Sequence, residues 1–280
     1  MNQQVHGGEL SVTDLIAFLC SNFKMILGCA FVGVALAFAI VLTISPQWEA
    51  NASVRIGQLG NSDNAGITVE PTLQVIDRIK SKSFQDDVLL DLGLLTDKDN
   101  SKVKLFRDKL KVKLEKSELI SLTLRAESAE DAKLELNAVI NQLISIHEKI
   151  LATAVNRWHQ DLALLELQLK QNKEEMIRLR TQLNASLVSN EKNFSQFALI
   201  SNVLVTRESD LRNFIDTKRT LEDRLSPERT FSTQLQGRVE VSESPVYPSK
   251  RLFLMFGFML GLVLGVFIAL IKPVLRAMAR

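Results

Sequence analysis

Two runs of twenty residues without a charged side chain, Met25–Ile44 and Leu252–Ile271, bracket a long stretch in which apolar positions recur at strand and helix spacing. At 1.5 Å rise per residue each run covers about 30 Å, the thickness of a bilayer's hydrocarbon layer. The pattern therefore predicts membrane spans at 25–44 and 252–272. A cleaved signal peptide competes for the first run. Against it stand Glu9 and Asp14 ahead of the run, the absence of an A-x-A-like site after it, and an apolar core longer than the usual stretch of about 7 to 15 residues. The first run is expected to stay as an anchor. Before it, Leu15, Ile16, Phe18 and Leu19 at helical spacing read as a short amphipathic helix on the membrane surface, with a regulatory contact as the alternative.

Between the spans the period changes several times. Ala50, Ala52, Val54 and Ile56 alternate as in a strand ended by Gly57, and a polar loop runs from Gln58 to Val69. Pro71 is placed to open a helix to about Lys80, and Ser83 to cap a second one that Gly93 stops after Leu92. Leu110, Val112 and Leu114, then Ile120, Leu122 and Leu124, alternate around a Lys116-Ser117-Glu118 turn, which reads as a β-hairpin with one buried face. Lys109, Lys111 and Lys113 fall on its other face. They would meet an anionic polymer or lipid headgroups, or simply guard an exposed strand against stray pairing.

Ser128 with Asp131 forms a helix-start signature, and no Pro or Gly follows until Pro227. Leu151, Val155, Trp158, Leu162, Leu165, Leu169, Asn172, Met176, Leu179 and Leu183 follow steps of three and four, a heptad seam with one polar member. Glu166 with Lys170 and Glu174 with Arg178 add acid-before-base pairs four apart. A helix from Ser128 to Asn184 would be about 85 Å long, too long to lie inside a compact domain of this size. The polar patch Asn184–Asn193 is the expected turn or kink. Phe197, Ile200, Leu204, Leu211, Phe214, Ile215 and Leu221 then carry helical spacing back to Leu225, and Gly237, Val239 and Val241 suggest a closing strand near the first. The seam admits packing between outgoing and returning helices of one chain, or contact between copies around a ring, with Asn172 setting register.

The expected fold is α+β. It has a membrane-proximal α/β base (45–127 and 228–249) and a long, extended helical arm (128–227), together forming a domain at 45–251. Two transmembrane helices flank that domain, with a segment at 1–24 and a tail at 273–280. Lys24 and the residues Lys272, Arg276 and Arg280 outweigh Lys250 and Arg251, so the positive-inside rule makes both termini cytoplasmic. Trp48 and Tyr247 flank the spans at the opposite face, as interfacial aromatic anchors would. Gly257, Gly261 and Gly265 stand four apart and share one helix face, offering close packing to another helix; Cys29, Gly33 and Ala37 form a weaker stripe on the first span.

Composition removes several function classes. Setting aside Lys24, Lys250, Arg251, Lys272, Arg276, Arg280, Glu9 and Asp14 leaves 28 basic against 30 acidic residues between the spans, so no concentrated basic surface points to nucleic acid. Both cysteines, Cys20 and Cys29, lie near or inside the first apolar run, which excludes a disulfide scaffold or thiol chemistry between Pro46 and Ser249. His147 and His159 are twelve apart on different helix faces without metal-ligand spacing, and neither a phosphate loop nor a nucleophile elbow is present. No cofactor and no catalytic residue is expected.

Four segments carry a family resemblance: VTDLIAFL before the first span, WEANASVRIGQL after it, AESAEDAKLELNAVIN at the long helix's start, and SESPVYPSKRLFLMFGFMLGLVLG at the second span. Together they resemble the Wzz-type polysaccharide co-polymerases, the chain-length determinants of lipopolysaccharide O-antigen in Gram-negative inner membranes. Pro245 and Pro248, with Ser249 where the family has a further proline, form the approach to the second span. The resemblance implies a homo-oligomeric, bell-like ring with the large domain in the periplasm. Such a ring works with a Wzy-type polymerase on undecaprenyl-linked glycan to set its modal length, the arm acting mechanically or as a template. The glycine face would then dock other spans or the polymerase. With no kinase domain after Arg280, the short O-antigen type is expected over the autokinase type. A co-polymerase for enterobacterial common antigen, exopolysaccharide or capsule shares this architecture. A two-span sensory protein is a further alternative, needing a separate signalling subunit because eight residues follow Lys272.

Overall fold

The computed structural model describes residues 20–61, 66–94, 101–116, 118–188 and 194–278. The expected surface helix around Leu15–Leu19, Ser117 of the hairpin turn, Ser189–Asn193 of the expected kink, and the side chains of Arg276 and Arg280 lie outside the described residues.

Two compact units make up the chain, one comprising Met1–Glu49, Ala126–Asp131 and Ser242–Arg280. Its helices are α1 (Phe23–Thr43) and α7 (Lys250–Met278). Both are long and apolar enough to cross a membrane. They run antiparallel, since residues late in α7 meet residues early in α1. Just beyond them the backbone closes a short ladder: Gln47 N–H donates to the Tyr247 carbonyl at 2.8 Å and Ser242 N–H to the Glu49 carbonyl at 2.9 Å. The Ser128 hydroxyl accepts from Asp131 N–H at 2.9 Å, capping a helix start as its spacing predicted.

The second unit, Ala50–Arg125 and Ala132–Val241, is built on a four-stranded sheet of order β4-β5-β1-β6. Its strands are β1 (Trp48–Arg55), β4 (Lys111–Lys116), β5 (Leu119–Ala126) and β6 (Gln234–Val241); β1 pairs antiparallel with β6, and β4 with β5. The closing strand thus lies against the first, as expected. Alternation buries Ala50, Ala52, Val54 and Ile56, and Ile120, Leu122 and Leu124, on one face. Onto the core pack α2 (Thr72–Lys80) through Val75 and Ile79, α3 (Lys82–Asp91) through Phe84 and Val88, and α4 (Ser101–Lys109) through Val103 and Phe106. The helix α5 (Ala129–Val188) adds Leu136, Ile140 and Leu143. Gly93 ends the α3 segment at φ 69°, a left-handed conformation that suits glycine.

Several local expectations are corrected. The cap of α3 is Ser81, whose hydroxyl accepts from Phe84 N–H at 3.4 Å, and not Ser83. Pro71 caps α2 from outside, with Thr72 as its first helical residue. The polar loop contains a two-residue ladder, β2 (Gln58–Leu59) with β3 (Ile67–Thr68). Lys109 ends α4, a helix the pattern did not reveal, so the exposed strand lysines are Lys111 and Lys113 on β4. Leu114, expected inside, is 51% exposed, because β4 is an edge strand with a register shift next to that residue.

The long helix is longer than its pattern suggested: 60 residues, about 90 Å, continuing through Asn184 to Val188. One helix returns, α6 (Phe194–Arg224). Arg180 pairs with Glu208 at 2.8 Å, Glu175 with Arg207 at 2.9 Å, and Glu166 with Lys218 at 2.8 Å. Descending numbers on α5 against generally ascending numbers on α6 define an antiparallel hairpin. Glu166 thereby bonds across the hairpin to Lys218 rather than along its own helix to Lys170.

Candidate functional site: a glycine helix pair and a buried polar joint

Gly33, Gly257, Gly261 and Gly265 are brought together between α1 and α7. A Cβ built on Gly257 would stand 2.5 Å from the Cβ of Ala37 and 2.7 Å from the Gly33 carbonyl oxygen; one on Gly261 would stand 2.6 Å from the Cys29 carbonyl. A Cβ built on Gly265 would stand 2.9 Å from the Ile26 Cα, and one on Gly33 would overlap the Gly257 carbonyl. Real side chains do not tolerate such distances, so the face is matched to this chain's own first helix at backbone contact. Gly28 differs, with nothing within 4 Å of its built Cβ.

At the Lys250 end, Gln47 bridges to Tyr247, which sets Tyr247 near Trp48, the next residue in the chain. The Tyr247 ring meets Phe253 edge-on at 6.3 Å, tying the segment holding Pro245 and Pro248 to the first turn of α7. The Tyr247–Pro248 bond is cis.

The seam residues lie along the α5–α6 hairpin. Leu165, Leu169, Asn172 and Met176 are buried, and Leu162, Leu179 and Leu183 half-buried. Asn172 is 4% exposed, and neither its amide nitrogen nor its oxygen has a hydrogen-bond partner among the described residues.

No short motif marks the second cluster. His147, fully buried on α5, touches the Thr233 hydroxyl through Nδ1 at 2.5 Å and the Glu70 carboxylate through Nε2 at 3.2 Å. Arg78 grips the same carboxylate in a fork, Nη2 to Oε1 at 2.9 Å and Nε to Oε2 at 3.0 Å. The Thr233 hydroxyl also accepts Gly57 N–H at 2.8 Å. A hydroxyl that accepts from an amide gives its own proton to Nδ1, which leaves Nε2–H to donate to Glu70. The imidazole is thus a neutral bridge between a hydroxyl and a carboxylate. Gly57 is required at this point, since its built Cβ would lie 2.7 Å from the Thr233 nitrogen.

Burial pushes the His147 pKa down; Glu70 pulls it up, but less. Burial alone would raise the Glu70 pKa, yet hydrogen bonds from Arg78 and His147, with the charge of Arg78, outweigh it and hold the carboxyl below its ordinary range. The cluster joins the end of β1, the residue before Pro71, α2, α5 and the approach to β6. Its signal in the sequence is the placement of His147 four residues after Leu143 and four before Leu151, on the buried stripe of α5. His159, by contrast, is exposed.

Residues 8–94 match a family model described as Wzz, chain length determinant protein. No curated protein matches the sequence. Among solved structures, a full-length bacterial polysaccharide co-polymerase is 15% identical over 95% of this chain and 99% of its own, with a TM-score of 0.41. A point mutant of the Shigella flexneri lipopolysaccharide O-antigen chain-length regulator is 10% identical over 71% of this chain and 98% of its own, TM-score 0.24. A fragment of the co-polymerase WzzB from Salmonella Typhimurium is 11% identical over 72% and 100% respectively, TM-score 0.25.

Proposed function

We infer, from the match of residues 8–94 to the Wzz chain length determinant model, that this protein is a membrane-anchored polysaccharide co-polymerase that regulates glycan chain length. The observation that carries the reading is the reach of that match. It runs from before α1 through α3, taking in the first apolar helix and the opening elements of the second unit.

On this reading the chain sits in a bacterial inner membrane with both ends cytoplasmic and residues 45–251 periplasmic. The excess of Lys24, Lys272, Arg276 and Arg280 over Lys250 and Arg251, and the aromatic pair Trp48 and Tyr247 beyond the helix ends, support that orientation. The protein acts as a homo-oligomer with a Wzy-type polymerase on lipid-linked O-antigen, and the α5–α6 hairpin is the element that senses or shapes the growing glycan. The glycine face is a packing surface whose first partner is α1 of the same chain. No group in the described residues is assigned a catalytic role.

The test is deletion of the gene followed by electrophoresis of lipopolysaccharide. Loss of the banded modal length, restored by the gene on a plasmid, is the expected result; an unchanged band distribution overturns the O-antigen reading. Replacing residues Lys24 and Lys272 by acids should invert or scramble the accessibility of cysteines placed between the spans, and unchanged labelling would contradict the orientation.

A further inference from the structure

We propose that the hydrogen bond between His147 and Thr233 is a latch that mild acid releases, freeing the approach to β6 from α5 while α5 stays tied to the α2 side. The two sides of the imidazole answer a proton differently. Nε2–H already donates to the Glu70 carboxylate at 3.2 Å, and a charged ring strengthens that bond. On the other side the Thr233 hydroxyl accepts Gly57 N–H and gives its own hydrogen to Nδ1. Once Nδ1 carries a hydrogen, both neighbours of that hydroxyl are donors. Its hydrogen then has no other partner among the described residues, on a side chain only 2% exposed.

The surroundings let this one contact yield. The charged groups acting on the ring are Glu70, which favours protonation, and Arg78, which opposes it. Both come from the α2 side and hold each other through the fork of two bonds. Gly57 and Thr233 bring no charge, and one turn away on α5 stand Leu143, Ile144, Ile150 and Leu151, all apolar. The approach to β6 is thinly held at this point. Phe231 exchanges two backbone bonds with Gln58, and Gln234 pairs with Arg55, but Ser232 between them has a buried hydroxyl with no partner among the described residues. Opening at Ser232 and Thr233 leaves both flanking pairings in place. All of these contacts lie within the second unit, so the latch is independent of the glycan reading.

The released ring meets water, and its proton affinity returns to the ordinary range, with a pKa of about 6.5, whereas burial keeps the latched ring neutral to lower pH. Each unit of pH below about 6.5 therefore multiplies the ratio of released to latched chains by about ten, until the latched ring itself takes up a proton. Hydrogen exchange of the full chain in detergent reads this, with rates corrected for the intrinsic effect of pH. Between about pH 6.5 and about pH 5.5, peptides holding Gly57 and Thr233 should lose protection by about ten-fold relative to those holding Ile120–Leu124 or α2. His147→Asn keeps a neutral acceptor near the Nδ1 position and should abolish the pH dependence. Thr233→Ala removes the latch, so the same peptides should be open at neutral pH and respond no further to acid. Nitrogen NMR of a chain carrying His6→Gln and His159→Gln leaves His147 alone to be read, and near pH 7.5 its ring should hold hydrogen on Nε2 and none on Nδ1. Uniform loss of protection across the second unit, an acid response in either variant equal to that of wild type, or an Nδ1–H form of the ring overturns the proposal.

Discussion

Replacing Asn172 by leucine should stabilise the α5–α6 hairpin. The amide is 4% exposed between Leu169 and Met176, and both of its polar atoms lack partners. Burying an amide without compensation costs about 1–3 kcal/mol in proteins. Leucine removes that penalty, has a helix propensity better by a few tenths of a kcal/mol, and adds apolar area to the seam. A gain of about 2 kcal/mol is the central expectation, equivalent to about a thirty-fold change in the local opening equilibrium. Amide exchange on the full chain in detergent reads it directly, as slower exchange in the segments around Leu165–Leu179 and around Leu204 with little change in the sheet. Exchange that is faster, or unchanged, in the Leu variant would refute the reasoning, because it would mean that the amide is satisfied in solution, by water or by another copy. Size-exclusion chromatography of both proteins tells those two sources apart, since a polar seam residue also fixes register between helices.

Acidification should weaken the second unit in two steps. The His147 pKa is lower folded than unfolded, so the unfolded chain binds the proton first and stability falls as pH drops below about 6.5. Glu70 is also lowered, so its contribution is present above about pH 4.5 and is lost as pH falls through its folded value. Thermal melts between pH 7.5 and 5 should show the first step, and His147→Phe should flatten it; an equal slope in the variant assigns the effect elsewhere. Thr233→Val strands Gly57 N–H and His147 Nδ1 and should cost about 1–3 kcal/mol, seen as a lower melting temperature. Gly261→Leu places side-chain atoms where the Cys29 carbonyl and Ala30 Cα lie within 2.7 Å of a Cβ, and should force the spans apart at a cost of about 1–3 kcal/mol or more. The expected readout is a broadened lipopolysaccharide length distribution with unchanged circular dichroism from the soluble helices.

What the sequence revealed depended on how local the cause was. The alternation at Ala50–Ile56, the Ser128 cap, the two apolar runs and the proline-free heptads each rest on neighbours within one or two turns, and each is found in the structure. Ser81 and Ser83 are equally good caps by type, and only packing of Phe84 and Val88 decides between them. The nine residues of α4, rich in lysine and holding only two core contacts, give little period to detect. Leu114 fits its alternation yet faces solvent, because edge position and register belong to the sheet and not to the strand. The joint around His147 lay furthest out of reach. Its partners are 77 and 86 residues away in the chain, and no short motif encodes that meeting.

That joint changes how the long helix behaves as an object. From His147 to Val188 there are 41 rises of uninterrupted α5, about 62 Å of rod beyond a buried joint. A rod of that length converts each degree of tilt at the joint into about 1 Å of travel at its far end. Shifts in the His147 contacts too small to disturb the core would therefore be read out as several ångströms at the hairpin tip.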